Sequence, residues 1–109
     1  VKKIHNKLVR DRIPEIIEED GKTCKMHIMD EESYRHALKA KLLEEANEVK
    51  EAASKEELIK EMADVLEVLE ALQKTFGIDI KEVERVKDKK ALSNGKFERR
   101  IFLEYVEKE

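Results

Sequence analysis

Residues 38–64 read LKAKLLEEANEVKEAASKEELIKEMAD, and this stretch decides the fold. Its apolar residues recur every three or four positions on either side of Ser54. Ser54-Lys55-Glu56-Glu57 is a capping box, with Ser54 as N-cap and Glu57 placed to reach back. One helix therefore ends just before Ser54 and a second begins just after it. A turn this short makes the two helices antiparallel neighbours.

Working outward, Asp30 is the expected N-cap of the first long helix, which runs from Glu31 to Ala53 with Tyr34, Leu38, Leu42, Val49 and Ala53 on its stripe. The second carries Leu58, Met62, Val65, Leu69, Leu72 and Phe76, and Gly77 is its stop. Asp79 and Glu82 form another possible capping box, opening a helix to about Leu92, and Ser93-Asn94-Gly95 is a turn. Towards the N-terminus, Pro14 is suited to the first turn of a short helix that Asp20-Gly21 closes. Thr23–Met29 alternates apolar and polar residues, which predicts a strand. The loosely alternating run from Phe97 through Tyr105 is the expected partner strand. The expected fold is mainly α, an antiparallel helical bundle with a small β-sheet element, in a single domain over residues 1–109.

The bulk properties set limits. Hydrophobic residues make up 40% of the chain, a lean core for 109 residues, and association into an oligomer would bury more apolar surface. Charged residues make up 45% with mixed signs and a net charge of only −3, so nothing draws the chain to nucleic acid or membrane. A single cysteine, Cys24, allows no internal disulfide. No targeting segment and no apolar run of membrane-spanning length is visible, so a soluble, cytoplasmic protein is expected.

The chemistry lies in Glu44-Glu45-Ala46-Asn47-Glu48 and, after twelve residues, Glu61-Met62-Ala63-Asp64. At about 100° per residue with Leu38 as zero, Glu45 falls at about −20°, inside the apolar stripe, and Glu48 at about −80°, on its edge. With Leu58 as zero on the second helix, Glu61 falls at about −60° and Asp64 at about −120°. Equal signed flanks of two antiparallel helices open on the same side, so Glu45, Glu48, Glu61 and Asp64 should line one groove. Any one of these acids could be an ordinary solvated residue. Glu45 is different, because an unpaired carboxylate in an apolar stripe must be paired, protonated or metal-bound. Lys41, one turn earlier, could supply a plain salt bridge. One lysine answers four clustered acids poorly; a divalent cation answers them directly, and all-oxygen donors point to Mg²⁺ or Mn²⁺. Such an ion leaves positions for phosphate oxygens and water.

The spacing E-E-x-x-E followed by E-x-x-D resembles the all-α NTP pyrophosphohydrolase superfamily, which includes the MazG proteins, the dimeric dUTPases and phosphoribosyl-ATP pyrophosphohydrolase. The opening Lys7-Leu8-Val9-Arg10-Asp11-Arg12-Ile13-Pro14 and the ending Asn94-Gly95-Lys96-Phe97 to Leu103 are similar to a phosphoribosyl-ATP pyrophosphohydrolase-like branch. Lys96 departs from that branch, which is richer in glycine near Gly95. The resemblance implies metal ligation by Glu45, Glu48, Glu61 and Asp64, with Glu44 as a supporting acid. It also implies cleavage between the α and β phosphates of a nucleotide, with water as nucleophile, in a homodimer or homotetramer. Lys7, Arg10, Arg12, Lys87 and Lys90 could bind phosphates beyond the metal, or be solvated charges. The expected activity is therefore Mg²⁺-dependent hydrolysis of a nucleoside triphosphate to NMP and pyrophosphate, as in removal of non-standard nucleotides. Two alternatives stand beside it: hydrolysis of phosphoribosyl-ATP in histidine biosynthesis, and a non-catalytic helical oligomerisation or nucleotide-binding module.

Overall fold

The computed structural model describes residues 1–108. Four helices follow one another: α1 (Ile13–Glu19), α2 (Glu31–Glu51), α3 (Lys55–Thr75) and α4 (Ile80–Asn94). They belong to two compact units, Val1–Gly77 and a second that begins at Ile78.

In the first unit the local chemistry sets the helix ends. Asp30 accepts a hydrogen bond from the Ser33 N–H at 2.8 Å and caps α2; the bonding to Ser33 holds its carboxyl below the usual aspartate value. Leaving the helical conformation at Ala52, the chain needs only Ala52, Ala53 and Ser54 to reverse direction. The Glu57 N–H donates to Ser54 Oγ at 3.1 Å, and Glu57 Oε2 reaches back to accept from the Ala53 N–H at 2.9 Å. A cap of this kind contributes about 1 kcal/mol to the start of α3. Gly77 ends the α3 turn at φ 64°, a left-handed conformation in which a side chain would be strained.

α2 and α3 form the main helix–helix contact among the described residues. Leu38, 3% exposed, and Val68, 8% exposed, are the buried apolar residues of this seam. At its far end Arg35 and Lys39 of α2 lie over the Phe76 ring, 4.8 and 5.2 Å from the centroid, and tie the end of α3 to the start of α2. The seam covers only part of the apolar stripes. Leu58, Ile59, Met62 and Leu66 form an exposed row on α3, with Leu66 66% exposed.

The second unit holds α4 and the segment after it. Asp79 caps α4 by accepting from the Lys81 N–H at 2.9 Å. The helix runs through Ser93 and Asn94, two residues past the expected stop, and ends at Gly95.

The expected β-sheet element does not form among the described residues. Residues 23–29 lie outside regular secondary structure and exchange no backbone hydrogen bond with any other described segment, and Met26 and Ile28 are exposed. The run after Phe97 is broken at once by a turn: the Arg100 N–H donates to the Phe97 carbonyl at 3.2 Å, with Arg100 at φ 56°. Alternation describes where side chains point; a strand also needs a partner backbone, and neither segment has one.

Candidate metal centre and nucleotide site

α2 carries Glu44, Glu45 and Glu48, and α3 carries Glu61, Asp64 and Glu67. The tight turn at 52–54 fixes the register between the helices, and the register brings four acids together. One carboxylate oxygen from each of Glu45, Glu48, Glu61 and Asp64 lies within 4.8 Å of the other three. Glu45 is buried at 7% exposure, Glu61 and Asp64 are half-buried, and Glu48 is exposed.

Like charges this close repel, and the surroundings compensate only in part. Lys41 Nζ lies 2.9 Å from Glu44 Oε2 and 3.5 Å from Glu45 Oε1. Burial alone would pull the Lys41 ammonium down. The hydrogen bond and charge of Glu44, followed by those of Glu45, outweigh it and hold Lys41 above the ordinary lysine value. Glu44 is held below the ordinary glutamate value, chiefly by its hydrogen bond to Lys41 and against the effect of its own burial, with Lys7 adding a second at 3.2 Å. Glu44 is thus neutralised by two lysines and is not one of the four converging acids.

Glu45 behaves in the opposite way. Burial raises its pKa above the usual glutamate value, the neighbouring Glu48 carboxylate raises it further through hydrogen bonding and charge, Asp64 adds to this, and Lys41 opposes them less than they add. Two oxygens, Glu45 Oε2 and Glu61 Oε2, are buried with no hydrogen-bond partner among the described residues. Orphaned acceptors of this kind are destabilising. An all-oxygen set with two buried, unpartnered acceptors fits a divalent cation, which could be held by these four side chains.

A pH dependence follows. Because the folded value of Glu45 lies above the unfolded one, folding favours its protonated form at low pH. That contribution is lost as the pH rises through its titration, and a dication there would reverse the preference. Added Mg²⁺ is therefore expected to raise the melting temperature more at neutral than at mildly acidic pH, which paired thermal melts would check. Equal shifts at both would mean that the ion does not meet Glu45.

The N-terminal segment lies against the same groove. Arg10 Nη2 is 2.7 Å from Asp64 Oδ1 and Nη1 is 3.5 Å from Glu67 Oε1. A cavity of about 330 Å³ opens beside the acids, with Leu8, Val9, Tyr34, Leu38 and Val68 on its apolar side and Arg10, Lys41, Glu45 and Asp64 on its polar side. Of the expected phosphate-binding residues, Lys7 and Arg10 are thus at the acids. Arg12 turns to Glu15 of α1 at 3.2 Å. Lys87 and Lys90 are exposed on α4 in the other unit, with Lys87 3.4 Å from Asp88. Glu67 and the apolar wall, Tyr34 above all, were not read as site residues from the sequence. The available signal was charge balance, since a basic segment and a surplus of acids in one chain need each other.

A family model described as phosphoribosyl-ATP pyrophosphohydrolase matches residues 6–91, which takes in the basic segment and both acid-bearing helices. The chain belongs to the phosphoribosyl-ATP pyrophosphohydrolase family. It is accordingly a nucleotide pyrophosphohydrolase, a hydrolase that acts on acid anhydrides. No curated protein and no solved structure matches the chain. No helix among the described residues of this family member is long and apolar enough to cross a membrane.

Proposed function

We propose that the chain is a Mg²⁺-dependent nucleoside triphosphate pyrophosphohydrolase, releasing NMP and pyrophosphate. The observation that carries this reading is the convergence of four carboxylates, two of them with buried oxygens that lack a partner. Glu45, Glu48, Glu61 and Asp64 would hold the ion, with Mn²⁺ as a substitute, and Glu44 would support them by keeping Lys41 and Lys7 in place. When bound, the ion would neutralise phosphate charge and lower the pKa of a coordinated water. Glu48 is the exposed member of the four. Lys7 and Arg10, which reach Glu44 and Asp64, would supply positive charge for phosphates beyond the ion. The cavity beside Glu45 and Asp64 offers apolar surface to the nucleoside.

The proposed role is removal of non-standard nucleotides in the cytoplasm, in a homodimer or homotetramer whose contact would cover the exposed row Leu58, Ile59, Met62 and Leu66. The test is a panel of nucleotides with Mg²⁺, scored for pyrophosphate against single phosphate. Release of pyrophosphate is expected, and release of single phosphate from every substrate would reject the reading.

The family description favours a second reading, phosphoribosyl-ATP as the substrate in histidine biosynthesis. Growth without histidine of a strain lacking that enzyme, restored by this chain, would select it over nucleotide clearance.

A further inference from the structure

We propose that Arg10 couples the divalent ion to the substrate's phosphates by exchanging one partner for another, an inference that rests on the metal site proposed above. Arg10 bonds at 2.7 Å to Asp64, one of the four converging acids, and reaches 3.5 Å to Glu67, which is not one of them. It comes from a segment outside regular secondary structure, and more than half of its side chain is exposed, so the guanidinium can move. Lys7, from the same segment, is held by Glu44 and touches none of the four acids. Arg10 is thus the basic residue of this segment that bonds to a proposed ligand.

In the resting protein the guanidinium stands in for part of the missing positive charge at Asp64. A dication at the acids meets that guanidinium as a like charge, so Arg10 opposes the bare ion. A polyphosphate changes the sign of its effect. Phosphate oxygens match the planar fork of a guanidinium, and Arg10 can leave Asp64 for them while the ion takes Asp64. Arg10 therefore weakens binding of the ion alone and strengthens binding of the ion with a triphosphate. By reciprocity each ligand then tightens the other. Glu67 holds the guanidinium beside the groove until the phosphates arrive.

Calorimetric titration tests this without turnover. Mn²⁺ is titrated alone, and an α,β-methylene nucleoside triphosphate is titrated in saturating Mn²⁺, into the wild-type chain, Arg10→Ala and Arg10→Lys. Arg10→Ala is expected to bind Mn²⁺ alone about three- to tenfold more tightly, as removal of a partly screened like charge allows. The same variant should bind the analogue about tenfold or more weakly. Arg10→Lys keeps the charge but not the fork, so it should leave Mn²⁺ binding near wild type and recover only part of the analogue affinity. Both shifts in Arg10→Ala are required. Unchanged or weaker Mn²⁺ binding in Arg10→Ala, or unchanged analogue binding, overturns the exchange while leaving the metal site standing. Absence of Mn²⁺ binding in wild type and variant alike overturns the site itself, and the exchange with it.

Discussion

Glu61→Gln is expected to lower the rate of pyrophosphate release by about a thousandfold or more, close to ~4 kcal/mol of barrier, while the metal-free protein stays as stable as wild type or becomes more stable. Glutamine keeps the shape of the side chain and removes the charge. In the wild-type fold Glu61 Oε2 is buried without a partner, within reach of three other acids. Such a group destabilises the protein in the absence of an ion, because both its desolvation and the repulsion from Glu45, Glu48 and Asp64 oppose folding. A cation bound among the four acids would offset both costs. The two effects should therefore have opposite signs, and neither alone would identify the site. Steady-state rates in Mg²⁺ and melts in chelator measure them separately. Activity within tenfold of wild type would remove Glu61 from the site. A large loss of both activity and metal-free stability would show that the glutamate is a structural residue.

The parts of this site that could be read in the sequence are those set by local chemistry. Asp30, Ser54 and Gly77 announce the helix ends, because caps and stops depend on residues a few positions away. With a three-residue turn between helices, periodicity alone carries Glu45, Glu48, Glu61 and Asp64 to one side of the seam, and the structure has them together. What depended on distant parts of the chain was not legible. Arg10 lies 54 residues from Asp64 and 57 from Glu67, and no local pattern states that pairing. The alternation at 23–29 says nothing about whether another backbone will lie beside it, and none does among the described residues. The apolar stripes were read correctly as faces but not as a core. Met62 and Leu58, both on the expected stripe, are exposed, whereas Val68, outside it, is buried. Periodicity gives the direction of a face; what covers that face is set by the neighbour, and one helix covers only part of another.

Leu38→Ala is expected to destabilise the protein by about 3 kcal/mol and to lower the melting temperature by more than ~10 °C. Leu38 is the most deeply buried apolar side chain among the described residues, and Val68 on α3 is the next. A truncated leucine loses both its transfer from water and its contacts, and a seam this thin has little else to close the gap. The effect should extend to the acids. Leu38 lines the same cavity as Glu45 and Asp64, so the side chain that joins α2 to α3 also sets the spacing of their carboxylates. Mn²⁺ affinity of Leu38→Ala should fall even at temperatures where the variant is fully helical by circular dichroism. Leu43→Ala supplies the comparison: Leu43 is on the same helix but 74% exposed, and its truncation should change neither stability nor metal affinity in the isolated chain. If Leu38→Ala melts with wild type, the α2–α3 seam is not what holds the four carboxylates in register, and the source of their convergence must be sought in the docked N-terminal segment, where Lys7 and Arg10 bridge to Glu44 and Asp64.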